Sequence, residues 1–194
     1  MANDGMPDRN ARPAPWSVED SEELFDCRIF SLLRRRMRRE HPAAEADFYQ
    51  LRSPDWVNII ALTDDDELVL VEQFRHGVER LTLEIAGGMV DPGETPRQAA
   101  ERELREETGY VAREWRRIGR IDPNPAIQDN CCHTFLALGA EPREEPSFDS
   151  TEQCRVVLAP WRDTPRLVAE GEITHALVVV ALHFETLRRG SLPT

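Results

Sequence analysis

The chain has 194 residues, of which 40% are hydrophobic and 31% are charged, and its formal net charge is -12 at pH 7. That length and composition are typical of one globular domain with a core of its own. The excess of acidic residues argues against a general nucleic-acid binder and against a protein that binds anionic membranes. An anionic substrate would need arginines or metal ions close to its own negative charges.

The N-terminus and the cysteines indicate the compartment. Residues 1–15 have no apolar stretch of the secretory type, and their proline, aspartate, asparagine and arginine content predicts a disordered tail. The four cysteines show no C-x-x-C spacing, and Cys131 and Cys132 are adjacent, which favours buried thiols over a zinc site. The longest apolar run, 176–182, is too short to span a bilayer. We therefore expect a soluble, cytoplasmic protein in which residues 16–194 form a single domain.

Hydrophobic runs in the first half of the chain predict five strands. They cover residues 23–33, 46–51, 56–62, 68–74 and 81–85. The polar sequence TDDDE separates the third run from the fourth and predicts a hairpin turn. Between the first two runs lies the basic stretch 34–40, RRRMRRE, which has no interleaved aromatic residues. We interpret it as a solvated strand–loop segment and not as a nucleic-acid site.

A helix with clear start and stop signals is predicted from residue 96 to residue 108. Thr95 can cap its N-terminus, Pro96 suits the first helical position, and Gln98 completes a capping box. Gly109 supplies the C-terminal stop. After this helix, three further strands and a terminal helix are predicted at residues 115–121, 131–138, 155–159 and 173–188. Strands with helices on two sides predict an α/β fold of the α/β/α sandwich type.

The predicted helix carries three carboxylates on one face. Glu103 and Glu107 are i,i+4 neighbours and Glu106 is three residues from Glu103. Like charges stacked in this way are unfavourable, and hard divalent cations are the usual remedy. A run such as ERELREE is, in most proteins, a solvated helix face with ion pairs. The glycines before and after this run favour the metal site, which Arg102 would help to orient.

The helix is also part of a longer motif. The 23 residues 88–110, GMVDPGETPRQAAERELREETGY, match G-x5-E-x7-R-E-L-x-E-E-x-G at every fixed position. A chance match in a given frame has a probability on the order of 10⁻¹⁰. The segment resembles the Nudix box, and VEQFRHGVERLTLEIAGGMVDPGE before and within it resembles the ADP-ribose and nucleoside-diphosphate-sugar pyrophosphatases of that family. The resemblance implies a Nudix-type α/β/α sandwich with a mixed β-sheet.

The resemblance also implies an activity and a metal site. The expected enzyme is a metal-dependent pyrophosphohydrolase that cleaves ADP-ribose, or a nucleoside-diphosphate sugar, to a nucleoside monophosphate and a sugar phosphate. Mg²⁺ or Mn²⁺ would be held by Glu103, Glu106, Glu107 and the backbone carbonyl of Gly87, whose oxygens are the hard ligands these ions prefer. Arg102 would hold the carboxylates, and we count Arg102 and Glu106 among the catalytic residues.

Further site residues are carried over from the same resemblance. Arg75 would contact the substrate's phosphate or ribose, and Glu84 would lie near the terminal sugar. Asn130, in the stretch NPAIQDNCCHTF, is a candidate substrate-binding residue. Glu152, in the loop before the last strand, is the candidate general base, with Asp149 as the alternative. His133 is interpreted as a strand residue whose hydrogen bonds are satisfied within the fold.

Two alternatives stay open at this point. The box specifies diphosphate chemistry but not the flanking group, so 8-oxo-dGTP, a dinucleoside polyphosphate or an RNA cap could replace the nucleotide sugar. A non-catalytic nucleotide-binding module is the second alternative, although such modules typically lose box glutamates that this chain keeps. In dimeric relatives the N-terminal strands pack against the partner. Residues 16–55 are therefore a candidate dimerisation element, and a homodimer is expected.

Overall fold

The computed structural model describes residues 12–147 and 153–190. Within them the chain divides into two compact units. The first consists of the chain up to Ser53 together with Ala126–Asp129, and the second consists of Pro54–Pro125 and the chain from Asn130 onwards. Most of the predicted tail, residues 1–11, lies outside the described residues. None of the helices in the described part is long and apolar enough to cross a membrane.

The first unit contains a three-stranded antiparallel sheet. Its strands are β1 (Ser17–Asp26), β2 (Ser31–Arg39) and β3 (Ala44–Arg52), in the order β1–β2–β3. The interpretation of 34–40 as a segment that separates two strands was wrong, because most of this basic run belongs to β2. Opposite charges across the sheet explain why it does: Arg34 lies opposite Glu22 on β1, and Arg36 lies opposite Asp47 on β3.

The second unit carries the remaining strands and the helices. Its strands are β4 (Trp56–Leu62), β5 (Glu67–Arg75), β6 (Arg80–Ile85), β7 (Gly87–Met89), β8 (Tyr110–Val111), β9 (Glu114–Ile121), β10 (Cys132–Leu138), β11 (Glu141–Pro142) and β12 (Cys154–Pro160). Its helices are α1 (Pro96–Thr108), α2 (Thr164–Ala169) and α3 (Ala176–Gly190). The sequence predicted every strand of five or more residues here, together with α1 and α3. It missed α2 and the two- and three-residue strands, which are too short to show a period.

Seven of these strands form one mixed sheet with a split in it. The order is β12–β5–β4–β10–β9, in which β4 and β10 are parallel and the other neighbours are antiparallel. The hairpin strands β4 and β5 pair at Leu62 and Leu68, next to their turn. Further along, β5 pairs with β6, and β4 pairs with β7. The two halves of the hairpin therefore continue with different partners, and a cleft opens between them.

The sheet has a hydrophobic core on each face. Ile59 on β4 packs in the same cluster as Leu104 of α1, whereas its neighbour Ile60 packs in the cluster of Leu182 of α3. Successive residues of a strand point to opposite faces, so β4 contributes to both cores. Leu104 is fully buried, which stabilises the packing of α1 by about 1.5–3 kcal/mol. The structure confirms the predicted α/β/α sandwich with a mixed sheet.

The predicted caps of α1 are present. The Thr95 side chain accepts a hydrogen bond from the backbone N–H of Gln98, and the Gln98 side chain accepts one from the backbone of Thr95. Gly109 ends the helix in the left-handed region, with φ of 72°, where a side chain would be strained. These local signals set both ends of the helix and thereby the position of its glutamates.

Candidate active site

Arg102 is the centre of a charged network at the N-terminal half of α1. Its Nε and Nη2 each donate to a Glu94 carboxylate oxygen at 3.0 Å. Its Nη1 donates to Glu103 at 2.8 Å and to Glu106 at 3.1 Å, and Nη2 also donates to the carbonyl of Met89 at 2.9 Å. These contacts, chiefly the hydrogen bonds to Glu94, raise the pKa of Arg102. The arginine therefore ties the loop before the helix, and strand β7, to the helix face.

Strand β7 approaches α1 closely because two of its residues are glycines. The backbone N–H of Gly87 donates to a carboxylate oxygen of Glu107 at 2.9 Å. A Cβ on Gly88 would lie 2.3 Å from the Glu103 carboxylate, and a Cβ on Gly87 would lie 2.4 Å from the carbonyl oxygen of Val57. Neither position has room for a side chain. The box glycine is thus explained by close approach, since no positive φ is required there.

The donor set at this helix face fits a hard divalent cation. In the structure Glu103 and Glu106 accept from Arg102, and Glu107 accepts from Gly87. Among residues 12–147 and 153–190 no three acidic, histidine or cysteine side chains are already grouped as a cation site. The chemistry nonetheless matches, because carboxylate and carbonyl oxygens are the ligands that Mg²⁺ and Mn²⁺ prefer.

A cavity of about 640 Å³ lies in the second unit, in the cleft where β4 with β7 and β5 with β6 part. Gly87 and Gly88 line it, so β7 has the cavity on one side and the glutamates of α1 on the other. Part of the wall is apolar and includes Trp56 and Met89. The first turn of α3 closes another side, where Leu177 accepts a hydrogen bond from the Asn58 side chain at 3.1 Å.

The polar part of the cavity wall is an ion pair between β5 and β6. Arg75 donates from Nε and Nη2 to the two carboxylate oxygens of Glu84, at 2.8 and 2.7 Å. Glu84 is only 2% exposed. Burial by itself would raise the pKa of Glu84, but the hydrogen bonds and charge of Arg75, with a hydrogen bond from Thr82, hold it below its usual value. The predicted substrate residues Arg75 and Glu84 therefore lie together on the cavity wall.

The other residues singled out from the sequence lie elsewhere. Asn130 is buried and donates from Nδ2 to the carbonyl of Pro54 at 3.1 Å, and it is not among the residues that line the cavity. His133 has its Nε2 at 2.9 Å from one carboxylate oxygen of Asp55, and the other oxygen accepts from the backbone N–H of Cys131. Both residues hold the start of β10 against the segment before β4.

The candidate bases Glu152 and Asp149 lie outside the described residues. Asn58, Thr82 and His175 are among the cavity residues that sequence reasoning missed. Thr82 could have been found, because it precedes Glu84 by two residues on a strand and therefore shares its face. Asn58 and His175 gave no such signal, since they come together only when α3 packs on β4.

Comparison with known proteins shows which family this chain is similar to. Residues 53–182 match the NUDIX domain. Over 169 residues the chain is 31% identical to the ADP-ribose pyrophosphatase of Bacillus subtilis (strain 168), covering 86% of this chain and 90% of that protein. Over 135 residues it is 32% identical to the ADP-ribose pyrophosphatase of Mycobacterium tuberculosis, covering 67% and 65%. A crystal structure of an ADP compounds hydrolase shares the fold, with a TM-score of 0.81 and 23% identity over 93% of this chain and 99% of that chain.

Proposed function

The chain belongs to the NUDIX family and is a hydrolase of pyrophosphate bonds, and we propose that its substrate is ADP-ribose or another nucleoside-diphosphate sugar. The products are a nucleoside monophosphate and a sugar phosphate. One observation carries this proposal: the glycines of strand β7 contact the carboxylate-rich face of α1 and also line the cavity that holds the Arg75–Glu84 ion pair. A diphosphate that reaches from one to the other would meet cation ligands on one side and a guanidinium on the other. The names of the similar pyrophosphatases support the same substrate class.

The carboxylates of α1 would hold the metal ion. Glu103, Glu106, Glu107 and the carbonyl of Gly87 are the ligands we assign to Mg²⁺ or Mn²⁺. When bound, such a cation neutralises diphosphate charge and lowers the pKa of a coordinated water. Arg102 holds the Glu103 and Glu106 carboxylates close together on one face of α1, because its guanidinium donates to both.

The cavity would hold the organic part of the substrate next to Arg75. Glu84 accepts from Nε and from Nη2 of Arg75. The remaining N–H donors of the guanidinium are therefore available for a phosphate or a ribose oxygen. Glu152 stays the candidate general base, with Asp149 as the alternative. Asn130 would act through the loop it holds at Pro54.

The assembly we propose is a homodimer formed through residues 16–55. Four large apolar or aromatic side chains of the first unit support it, because they are exposed: Phe25, Ile29, Phe48 and Tyr49. Light scattering of the purified protein measures the mass directly. Replacement of Phe25 and Phe48 by serine should lower it to that of a monomer.

Free thiols at all four cysteines support a cytoplasmic location.

The test of function is Mg²⁺-dependent hydrolysis of a substrate panel, with products resolved by chromatography. The panel contains ADP-ribose, ADP-glucose, UDP-glucose, GDP-mannose, NADH, a diadenosine polyphosphate and 8-oxo-dGTP. Release of a nucleoside monophosphate and a sugar phosphate from one diphosphate supports the proposal and identifies the sugar and base. Activity confined to 8-oxo-dGTP or the polyphosphate contradicts it. Binding of nucleotides without any hydrolysis would make the chain a binding module.

A further inference from the structure

We infer that Thr82 is a positioning residue for substrate binding, because its hydroxyl holds the carboxylate that fixes the guanidinium of Arg75 on the cavity wall. The inference rests on the proposed function, in which Arg75 contacts the diphosphate or a ribose. Thr82, Glu84 and Arg75 all line the cavity. Thr82 is not itself assigned a contact with substrate, and it acts through the other two side chains.

The hydrogen bonds among these residues form a short chain. The Thr82 hydroxyl donates to Glu84 Oε1 at 2.7 Å, and the same oxygen accepts from Arg75 Nε at 2.8 Å. The second carboxylate oxygen accepts from Arg75 Nη2 at 2.7 Å. A hydroxyl has a single hydrogen, so the longer approach of the Thr82 hydroxyl to the carbonyl of Gln73, at 3.4 Å, is the weaker alternative. The threonine is therefore oriented toward the carboxylate.

Strand register explains why a residue at position 82 controls this ion pair. Across β5 and β6, Arg75 lies opposite Arg80, Gln73 lies opposite Thr82, and Val71 lies opposite Glu84. Arg75 and Glu84 are therefore offset by four residues, about 13 Å along the strands. Their side chains have to extend toward each other past the position of Thr82, which shares a strand face with Glu84. The hydroxyl meets the carboxylate partway along that path and limits how it can turn.

The side chains of Thr82, Glu84 and Arg75 differ in how far they are exposed to solvent. Glu84 is 2% exposed and Thr82 is 7% exposed, whereas the Arg75 side chain keeps 43% of its surface exposed. The carboxylate and the hydroxyl are thus buried, and the guanidinium is the group of this hydrogen-bonded set that a ligand can reach. Without the hydroxyl, a sheltered carboxylate would lose one of its three donors and could rotate, and the guanidinium would rotate with it.

Substitutions at Thr82 separate positioning from simple packing. Thr82→Val keeps the shape and removes the hydroxyl, whereas Thr82→Ser keeps the hydroxyl. We expect Thr82→Val to raise KM for ADP-ribose about five-fold and to change kcat less than about two-fold. Thr82→Ser should stay within about two-fold of the wild type in both constants. Thr82→Ala, in which no methyl group replaces the hydroxyl, makes the same test if Thr82→Val does not fold.

Two controls keep the result specific. Thr134 on β10 is 1% exposed in the same sheet and is not among the cavity residues, so Thr134→Val should leave KM unchanged. In a Glu84→Ala background the Thr82 hydroxyl has no side-chain oxygen at position 84 to hold. Adding Thr82→Val there should raise KM by less than about two-fold, because the two changes act on one interaction. An equal effect of Thr82→Val in both backgrounds would overturn the inference.

Calorimetric binding of ADP-ribose gives a readout that needs no turnover. We expect Kd to rise about five-fold in Thr82→Val and to recover in Thr82→Ser. An unchanged Kd and KM in Thr82→Val, with an active wild type, would refute the role of Thr82 and leave the proposed function standing. A wild type that binds ADP-ribose but hydrolyses no diphosphate would refute the proposed function, and the Kd comparison would still decide the role of Thr82. If the wild type hydrolyses another diphosphate of the panel and does not bind ADP-ribose, the same Kd and KM comparison is made with that diphosphate. A wild type that neither binds nor hydrolyses any diphosphate of the panel refutes both proposals.

Discussion

Two charged clusters flank the glycines of β7, and they differ in how their charges balance. On α1 the guanidinium of Arg102 lies 2.8–3.9 Å from four carboxylates, those of Asp91, Glu94, Glu103 and Glu106. At the cavity, Arg75 forms a two-point ion pair with the single carboxylate of Glu84. The first cluster keeps an excess of negative charge, which a divalent cation would balance. The second is balanced within the protein, and its guanidinium is partly exposed.

The clusters also differ in how the chain assembles them. The members of the α1 cluster lie within one loop and one helix, so helix periodicity alone places most of them together. Arg75 and Glu84 belong to different strands and meet only through the register of β5 and β6. We therefore expect changes in the first cluster to affect kcat, and changes in the second to affect substrate binding and its dependence on pH.

The largest effect is expected from Glu107→Gln. The amide oxygen can still accept from the N–H of Gly87, so the fold should persist, but the negative charge of a proposed metal ligand is lost. We expect kcat for ADP-ribose to fall about 10³-fold with an unchanged melting temperature. Glu101 is the matched control, since it lies on the same helix and pairs with Arg97 on an exposed face. Glu101→Gln should keep kcat, and a near-normal kcat in Glu107→Gln would contradict the metal assignment.

Arg102→Lys tests whether activity needs the several N–H donors of the guanidinium or only its positive charge. A lysine keeps the positive charge but cannot donate to both oxygens of Glu94 and also reach Glu103. We expect kcat to fall about 10- to 100-fold, the range for side chains that orient metal ligands. Steady-state kinetics at saturating Mg²⁺ measures it. If excess Mg²⁺ restores the wild-type activity, the substitution has weakened the affinity for the metal. If the variant is fully active at every Mg²⁺ concentration, a positive charge at position 102 is enough for activity.

The two glycines of β7 should respond differently to alanine. At Gly88 the new methyl group meets the end of the Glu103 side chain, which can swing away, so activity should fall about 10-fold and stability by less than about 1 kcal/mol. At Gly87 it meets the backbone carbonyl of Val57, so β4 and β7 must part and stability should fall by about 1–3 kcal/mol. Urea unfolding and kcat, measured on both variants, compare them. Identical stability losses would show that the Glu103 side chain beside Gly88 yields no more easily than the Val57 backbone beside Gly87.

Glu84→Gln should change the stability of the fold by an amount that depends on pH. The pKa of Glu84 is held below its ordinary value of 4.5 in the fold, so the ionised carboxylate stabilises the native state above that value. We expect the variant to be less stable by about 1–2 kcal/mol at pH 7, discounted for the exposure of Arg75. The difference should shrink as the pH falls below 4.5 toward the folded pKa. Urea unfolding at pH 7 and at low pH measures it, and a constant difference would rule out this pair as the cause.

Much of the candidate active site was predictable because its signals are local. The capping residues, the glycine at 109 and the helical spacing of Glu103, Glu106 and Glu107 all act within a few turns of one helix, and the structure has α1 with the predicted bounds. The longer strands of the second unit were predictable for a similar reason, since alternating or continuous apolar runs mark them. The basic strand β2 was not, because its stability depends on acidic partners on β1 and β3 that a reading of its own residues does not include.

By itself the sequence determined the family, the mixed α/β architecture and the helix face that carries the carboxylates, because close-range spacing and capping encode them. Only the tertiary structure decided that β4 and β5 take different partners, that the resulting cleft is a cavity next to the box glycines, and that Thr82 and Glu84 hold Arg75 on its wall. These features depend on strand pairing and on the packing of α3 against β4. Contacts between distant segments of a chain leave no period in either segment, so a single sequence does not reveal them.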